Sequence, residues 1–202
     1  MGRKYPSFPK LFLWLVAINV VLISVAIYNY NGEYNSLFHY FSFVGEYRTA
    51  AGDLNILSMI AFSSSMIISG LSLLLFGYRY HRKHGARKAF FKSIYCSLSG
   101  IGFLITGAFP DDINHGIHVF GTGIAIAFLW LMVTTYIVEN RRSLRPVVYY
   151  PLQSVLQIPI FTYAGTYFLN IGPTSFMLQK VALFGLCVAL ISTIFMKKNK
   201  IS

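Results

Sequence analysis

Six apolar stretches, each close to the length of a membrane-crossing helix and each set off by a short polar or basic segment, constrain this chain more than any other feature. A helix needs about 20 apolar residues to cross the hydrocarbon core of a bilayer. The stretches run at about 11–28, 54–76, 89–109, 115–138, 147–169 and 176–196, and in 202 residues they leave no room for a separate soluble domain. Composition agrees. At 55% hydrophobic and 11% charged, with a mean hydropathy of +0.59, a water-soluble globule would lack the polar surface to cover itself. The expected fold class is all-α: a polytopic membrane protein, one integral domain over 1–202, built as a bundle of six transmembrane helices. A disordered chain, a disulfide-stapled secreted domain and a soluble enzyme are disfavoured.

The net charge of +11 is a footprint that nucleic-acid binding would also leave. The placement of the charges argues against that partner. They cluster between apolar runs, as Arg3, Lys4 and Lys10; as Arg79, Arg82, Lys83, Arg87, Lys88 and Lys92; as Arg141, Arg142 and Arg145; and as Lys197, Lys198 and Lys200. Lys and Arg are retained on the cytoplasmic side of short loops. With six spans, fifteen of the seventeen basic residues fall on one side and only Arg48 and Lys180 on the other, so the expected orientation is N-in and C-in. Five of the six acids, Glu33, Glu46, Asp53, Asp111 and Asp112, then lie outside. The partners expected are membrane lipids, not nucleic acid. The first stretch exceeds a usual signal-peptide core and is followed by no small-x-small cleavage site, so it is expected to be retained. Cys96 and Cys187 fall inside spans and read as small apolar packers rather than as a disulfide framework.

Lipid offers no hydrophobic drive between helices, so small residues that allow close backbone approach are expected at the contacts. Ser58, Ser65, Ser69 and Ser72 share one face of the second span, a stripe that suits packing or a polar pathway. Gly100 and Gly107 in the third span, and Gly116, Gly123 and Ala127 in the fourth, suggest further contact faces. Gln153 and Gln157 in the fifth are expected to face a neighbouring helix, and Pro159 to kink that span.

One dense polar cluster stands out. The third span ends Gly107-Ala108-Phe109-Pro110 and the fourth begins Asp111-Asp112-Ile113-Asn114-His115-Gly116-Ile117-His118. If the helix starts by Asp111, spacings of four and seven put Asp111, His115 and His118 on one face, with Thr122 continuing it. A carboxylate and two imidazoles suit a divalent metal such as zinc, and the cluster Asp111, Asp112, His115 and His118 suits acid and base chemistry. The structural alternative is that Asp111, Asp112 or Asn114 caps the fourth helix, in which case Asp→Asn changes there cost little. The aromatic segment between the first two spans, within 29–53, is expected to roof this cluster at the interface. Its His39, Glu46, Arg48 and Asp53, with Lys180 at the start of the last span, are the candidate binding residues.

These residues carry a resemblance. Phe38 to Gly70, with Val44-Gly45-Glu46, Asn55 and Phe62 to Gly70, followed by Gly107-Ala108-Phe109-Pro110-Asp111 and His115 to His118, resembles the six-helix bacterial and archaeal membrane proteins of domain-of-unknown-function family 998. It is more distantly similar to the Frag/DRAM/Sfk membrane proteins. The resemblance implies a six-helix fold with no settled activity, lipid-linked roles among the distant relatives, and the plasma (inner) membrane of a prokaryote. The family often has an acidic-basic pair where this chain has Gln179-Lys180. Three functions follow as expectations. The first is a membrane protein that binds a lipid or a partner through an outward-facing polar groove. The second is a metal-dependent hydrolase or lipid-remodelling enzyme using Asp111, His115 and His118. The third is a transporter, which ranks last because no charged residue lies near a span midpoint.

Overall fold

The computed structural model describes residues 7–35, 39–84, 86–169 and 174–196. Arg3, Lys4, Lys197, Lys198 and Lys200 of the basic clusters and Ser36 to Phe38 of the aromatic segment lie outside the described residues, as do the side chains of Arg87 and Lys88. Among the described residues the long elements are all helices: α1 Phe8–Tyr28, α2 Ile56–His84, α3 Ala86–Ala108, α4 His115–Glu139, α5 Pro146–Phe168 and α6 Thr174–Met196. Among the described residues five helices, α1, α2, α3, α4 and α6, are long and apolar enough to cross a membrane. The chain is therefore a multi-pass membrane protein. Large apolar side chains such as Val20, Leu57, Ile60, Phe120 and Phe184 stand exposed on the helices, which suits hydrocarbon and would be costly against water.

The helices start and stop near the limits of the apolar runs. Pro9 in the first turn of α1 has no amide to lose there and extends the helix back to Phe8. α2 continues past Phe76 to His84, because Arg82, Lys83 and His84 favour the negative end of the helix dipole and Tyr80 packs on Phe8 and Phe76. At 29 residues α2 is about 43 Å long, more than the roughly 30 Å hydrocarbon core requires. α5 differs from the other five. Pro151 and Pro159 lie inside it and Gln153 and Gln157 add polarity, so length alone qualifies it.

The chain divides into two compact units. One holds Met1–Tyr34 and Ser42–Met132, the other Asn35–Phe41 and Val133–Ser202. In the first, α2 and α3 touch backbone to backbone. A Cβ on Gly70 would lie 2.7 Å from the Gly100 carbonyl oxygen, and a Cβ on Gly100 would lie 2.8 Å from that of Gly70. Gly107 meets the Ser63 carbonyl in the same way. On α4 the expected face is displaced. Gly123 has open space, Gly116 nearly so, and Ala127 is exposed; the contact with α3 is made by Gly121 and Ala125 against Ile105 and Gly102. The serine stripe is polar glue, and its partner is Asn19 of α1, which donates to Ser69 Oγ at 2.7 Å and accepts from Ser65 Oγ at 3.0 Å. Trp14 Nε1 donates to Ser72. Such bonds in a bilayer contribute about 0.6 kcal/mol each. Cys96 is buried against Met132.

In the second unit Gln157 Nε2 donates to Thr134 Oγ1 at 3.1 Å and to Gln153 Oε1 at 2.9 Å, as an amide within apolar surroundings requires. Pro159 has no amide to give the Val155 carbonyl one turn earlier. Gly185 of α6 packs on that oxygen so closely that a Cβ would lie 2.4 Å from it.

Candidate functional site

Residues 42–55 form a folded cover in the first unit. Gly52, at φ +91°, turns the chain in the left-handed region that a side chain disfavours. The turn brings Thr49 N to the Asp53 carbonyl at 2.9 Å, and an antiparallel bridge pairs Arg48 with Leu54. Asn55, 1% exposed, holds the segment from beneath. Its Nδ2 donates to the Glu46 carbonyl at 3.0 Å and more weakly to that of Val44, and its Oδ1 accepts Asn31 N. Ser58 Oγ donates to the same Val44 carbonyl at 2.6 Å. Gly45 lies flat on the Phe62 ring, where a Cβ would come within 2.3 Å. The serine at the start of the stripe thus belongs to the cover, not to helix packing.

The corner after α3 receives this cover. Pro110 stops α3, and its carbonyl accepts Ile113 N and Asn114 N in a turn. Asn114 caps α4, its Oδ1 accepting Ile117 N at 3.1 Å. Neither aspartate has that role. Asp112 instead reaches up and accepts two consecutive backbone amides, Tyr47 N at Oδ1 and Arg48 N at Oδ2, both at 2.9 Å. Asp111 accepts Ser42 Oγ at 3.4 Å and His115 Nδ1–H at 2.7 Å. The expectation that Asp112→Asn is cheap because asparagine caps as well as aspartate therefore fails in its premise. An amide side chain has one acceptor oxygen, and the clamp uses two.

The structure brings Asp111 and His115 together and leaves His118 apart. His118 is buried; its Nδ1–H donates to the Phe109 carbonyl at 2.8 Å and its ring stacks near Phe62. Because a carbonyl only accepts, the Nδ1 of His118 carries a proton. α4 begins at His115, not Asp111, so the helical face that would align all three does not extend back to the acid. Among the described residues no group of three or more His, Cys, Asp or Glu side chains is arranged to hold a metal ion. Zinc held by Asp111, His115 and His118 does not fit this arrangement.

Glu46 sits half-buried over the two aspartates. Burial first, then the charges of Asp112 and Asp111, push its carboxyl up to about 7. Tyr30 is raised by burial and by Glu46. Arg48 does not neutralise the acids with its guanidinium, which donates to the Gly52 carbonyl and lies over the Tyr47 ring; its backbone amide makes the contact with Asp112. Asp53 is exposed and joins the cover through its backbone carbonyl.

His39 and Lys180 belong to the second unit. Lys180 Nζ donates to the His39 and Phe176 carbonyls and lies 5.2 Å from the centre of the Phe41 ring. Gln179 Oε1 accepts Phe41 N, and the Tyr40 hydroxyl shares a 2.7 Å bond with Ser175. The lysine's partners are carbonyls and a ring rather than an outer acid. No spacing in the sequence marks Asn55 or Ser42 as the residues that fix the cover, since a single Asn or Ser beside a span has many uses; Asn55 stands out only through the resemblance.

No protein-family model matches the chain, nor does any characterised protein or solved structure.

Proposed function

We propose that this chain is a six-span membrane protein, N-in and C-in, forming one integral domain, and that it binds a lipid headgroup or a membrane partner at the outer surface beside the 42–55 cover. The sixth span is α5. If α5 did not cross, Lys197, Lys198 and Lys200 would end on the acidic side, against the bias of every other basic cluster. The likeness to family 998, and with it the plasma (inner) membrane of a prokaryote, is part of this proposal.

One observation carries the binding reading. Asp112 is used up by two backbone amides, while Glu46 and the exposed ring of His115 remain at the edge of the cover without an anchoring task there. A fixed cover with a half-buried carboxyl and an exposed imidazole at its rim suits recognition of a polar headgroup. Mass spectrometry of lipid co-purified with the wild type and with His115→Ala and Glu46→Gln tests it. A bound lipid class that is lost in both variants supports the reading; no retained lipid, or unchanged retention in both, overturns it.

A second reading has its own support. Asp111 fixes the Nδ1–H of an imidazole that is 73% exposed, the arrangement that leaves Nε2 as a base. Acid-base chemistry at a headgroup, with Glu46 as proton donor, is therefore the alternative. Turnover of lipid by the wild type that vanishes in Asp111→Asn would favour it.

A further inference from the structure

The connection between α4 and α5 carries a different chemistry. Arg141 to Ser143 form one turn of 3-10 helix, after which Pro146 starts α5. An open cavity of about 290 Å³ lies here, lined by Arg141, Arg142, Leu144, Pro146, Tyr149 and Tyr150. That volume is at the low end for a small-ligand site and about ten times the share of one liquid water. Among the described residues no carboxylate lines it.

The two arginines are held differently. Arg141 lies over the Tyr149 ring at 5.2 Å, and its Nη2 donates to the Tyr150 hydroxyl at 3.4 Å. A guanidinium stacked on a ring keeps its charge and loses some of its freedom. Arg142 is exposed and spends its charge on no carboxylate among the described residues. Two planar forks and a phenol hydroxyl around one cavity match the oxygens of a phosphate, which accepts paired N–H bonds from arginine.

We infer that the cavity of Arg141, Arg142, Tyr149 and Tyr150 is a binding site for a phosphate-bearing anion, either the headgroup of an anionic phospholipid or a free phosphate compound. Arg141 with its ring is the preorganised half of the site, Arg142 the half that closes on the ligand, and Tyr150 adds a neutral hydrogen bond. The inference does not depend on the reading of the 42–55 cover.

The test uses the full-length protein, purified in a neutral detergent. Binding is measured to nanodiscs of phosphatidylcholine with and without phosphatidylglycerol, and separately to inorganic phosphate. The variants are Arg142→Gln, Tyr150→Phe and, as a control of equal charge loss in another basic cluster, Arg79→Gln. At least fivefold weaker binding of one probe in Arg142→Gln, and a smaller loss in Tyr150→Phe, with Arg79→Gln near wild type, supports the site. Loss confined to phosphatidylglycerol assigns it to lipid; loss confined to inorganic phosphate assigns it to a soluble ligand. Equal weakening by Arg79→Gln and Arg142→Gln would mean diffuse surface charge, and no binding of either probe would mean no site; both overturn the inference.

Discussion

The two connections that flank α4 are of similar length and opposite chemistry. Before α4, the acids of 110–114 are turned onto the protein's own groups: Asp112 on two backbone amides, Asp111 on the side chains of Ser42 and His115. After α4, Arg141 rests on the Tyr149 ring and Arg142 lines an open cavity. A conspicuous polar motif is therefore not by itself a site. Acids close to unpaired backbone amides are satisfied by structure, whereas the neighbouring bases find no carboxylate in the cavity and stay available. The dense Asp-Asp-x-Asn-His motif is in large part architecture, and the plainer Arg-Arg pair is the better candidate for recognising an anion.

The sharpest way to break the comparison is Asp112→Ala. Two charge-assisted bonds are lost, and a cost of about 2 kcal/mol is expected, with Tyr47 and Arg48 amides losing protection in hydrogen exchange. Asp112→Asn should fall between alanine and wild type. If Asp112→Asn matched wild type in both readouts, the clamp would be incidental.

Asn114→Ala should cost about 1 kcal/mol by removing the α4 cap, while Asp111→Asn should not affect the cap. Thermal unfolding in detergent separates the two. A larger effect of Asp111→Asn than of Asn114→Ala would return the capping role to the acid.

Much of this architecture was open to reading from the chain alone, for a physical reason. Helix limits follow local apolar runs, and the observed ends of α4 and α5 lie within about a residue of the stretches 115–138 and 147–169. What was not legible depends on distant parts of the chain. Asp112 meets Tyr47 and Arg48 across some 65 positions, and no local pattern separates such a clamp from a helix cap. The choice of Gly116, Gly123 and Ala127 as the contact face of α4 failed because the rotation of a helix depends on what packs beside it. Gly102 on α3 makes room for Ala125, and that pair sets the face. Asn19 is not legible either, because a lone amide in an apolar run carries no spacing signal without Ser65 and Ser69 opposite it.

Glu46 supplies a pH test of smaller size. Its carboxyl is raised to about 7 in the folded protein, above its ordinary value near 4.5. The folded state therefore holds the proton more tightly than the unfolded chain. Stability from this group is present below about pH 4.5 and is lost as pH rises through 7. Allowing for a half-exposed setting, Glu46→Gln should recover about 1 kcal/mol at pH 8 and nothing at pH 4. An equal effect at both pH values would show that neither burial nor the aspartates raise this carboxyl.

The smallest effect on stability is expected at the other connection. Arg142→Gln should change unfolding by less than about 0.5 kcal/mol, because no interaction among the described residues depends on it. A loss comparable to that of Asp112→Ala would erase the contrast between the two connections.

In the proposed topology α4 carries its acidic connection outside and its basic connection inside, and α5 crosses the membrane to return both chain ends to one face. Single cysteines at Ile113, Ser143 and Asn199, in a background lacking Cys96 and Cys187, test this directly by labelling intact cells with a membrane-impermeant maleimide. Ile113→Cys is expected to be labelled from outside, and Ser143→Cys and Asn199→Cys only after the membrane is opened. Labelling of Asn199→Cys together with Ile113→Cys in intact cells would mean five crossings and would contradict it.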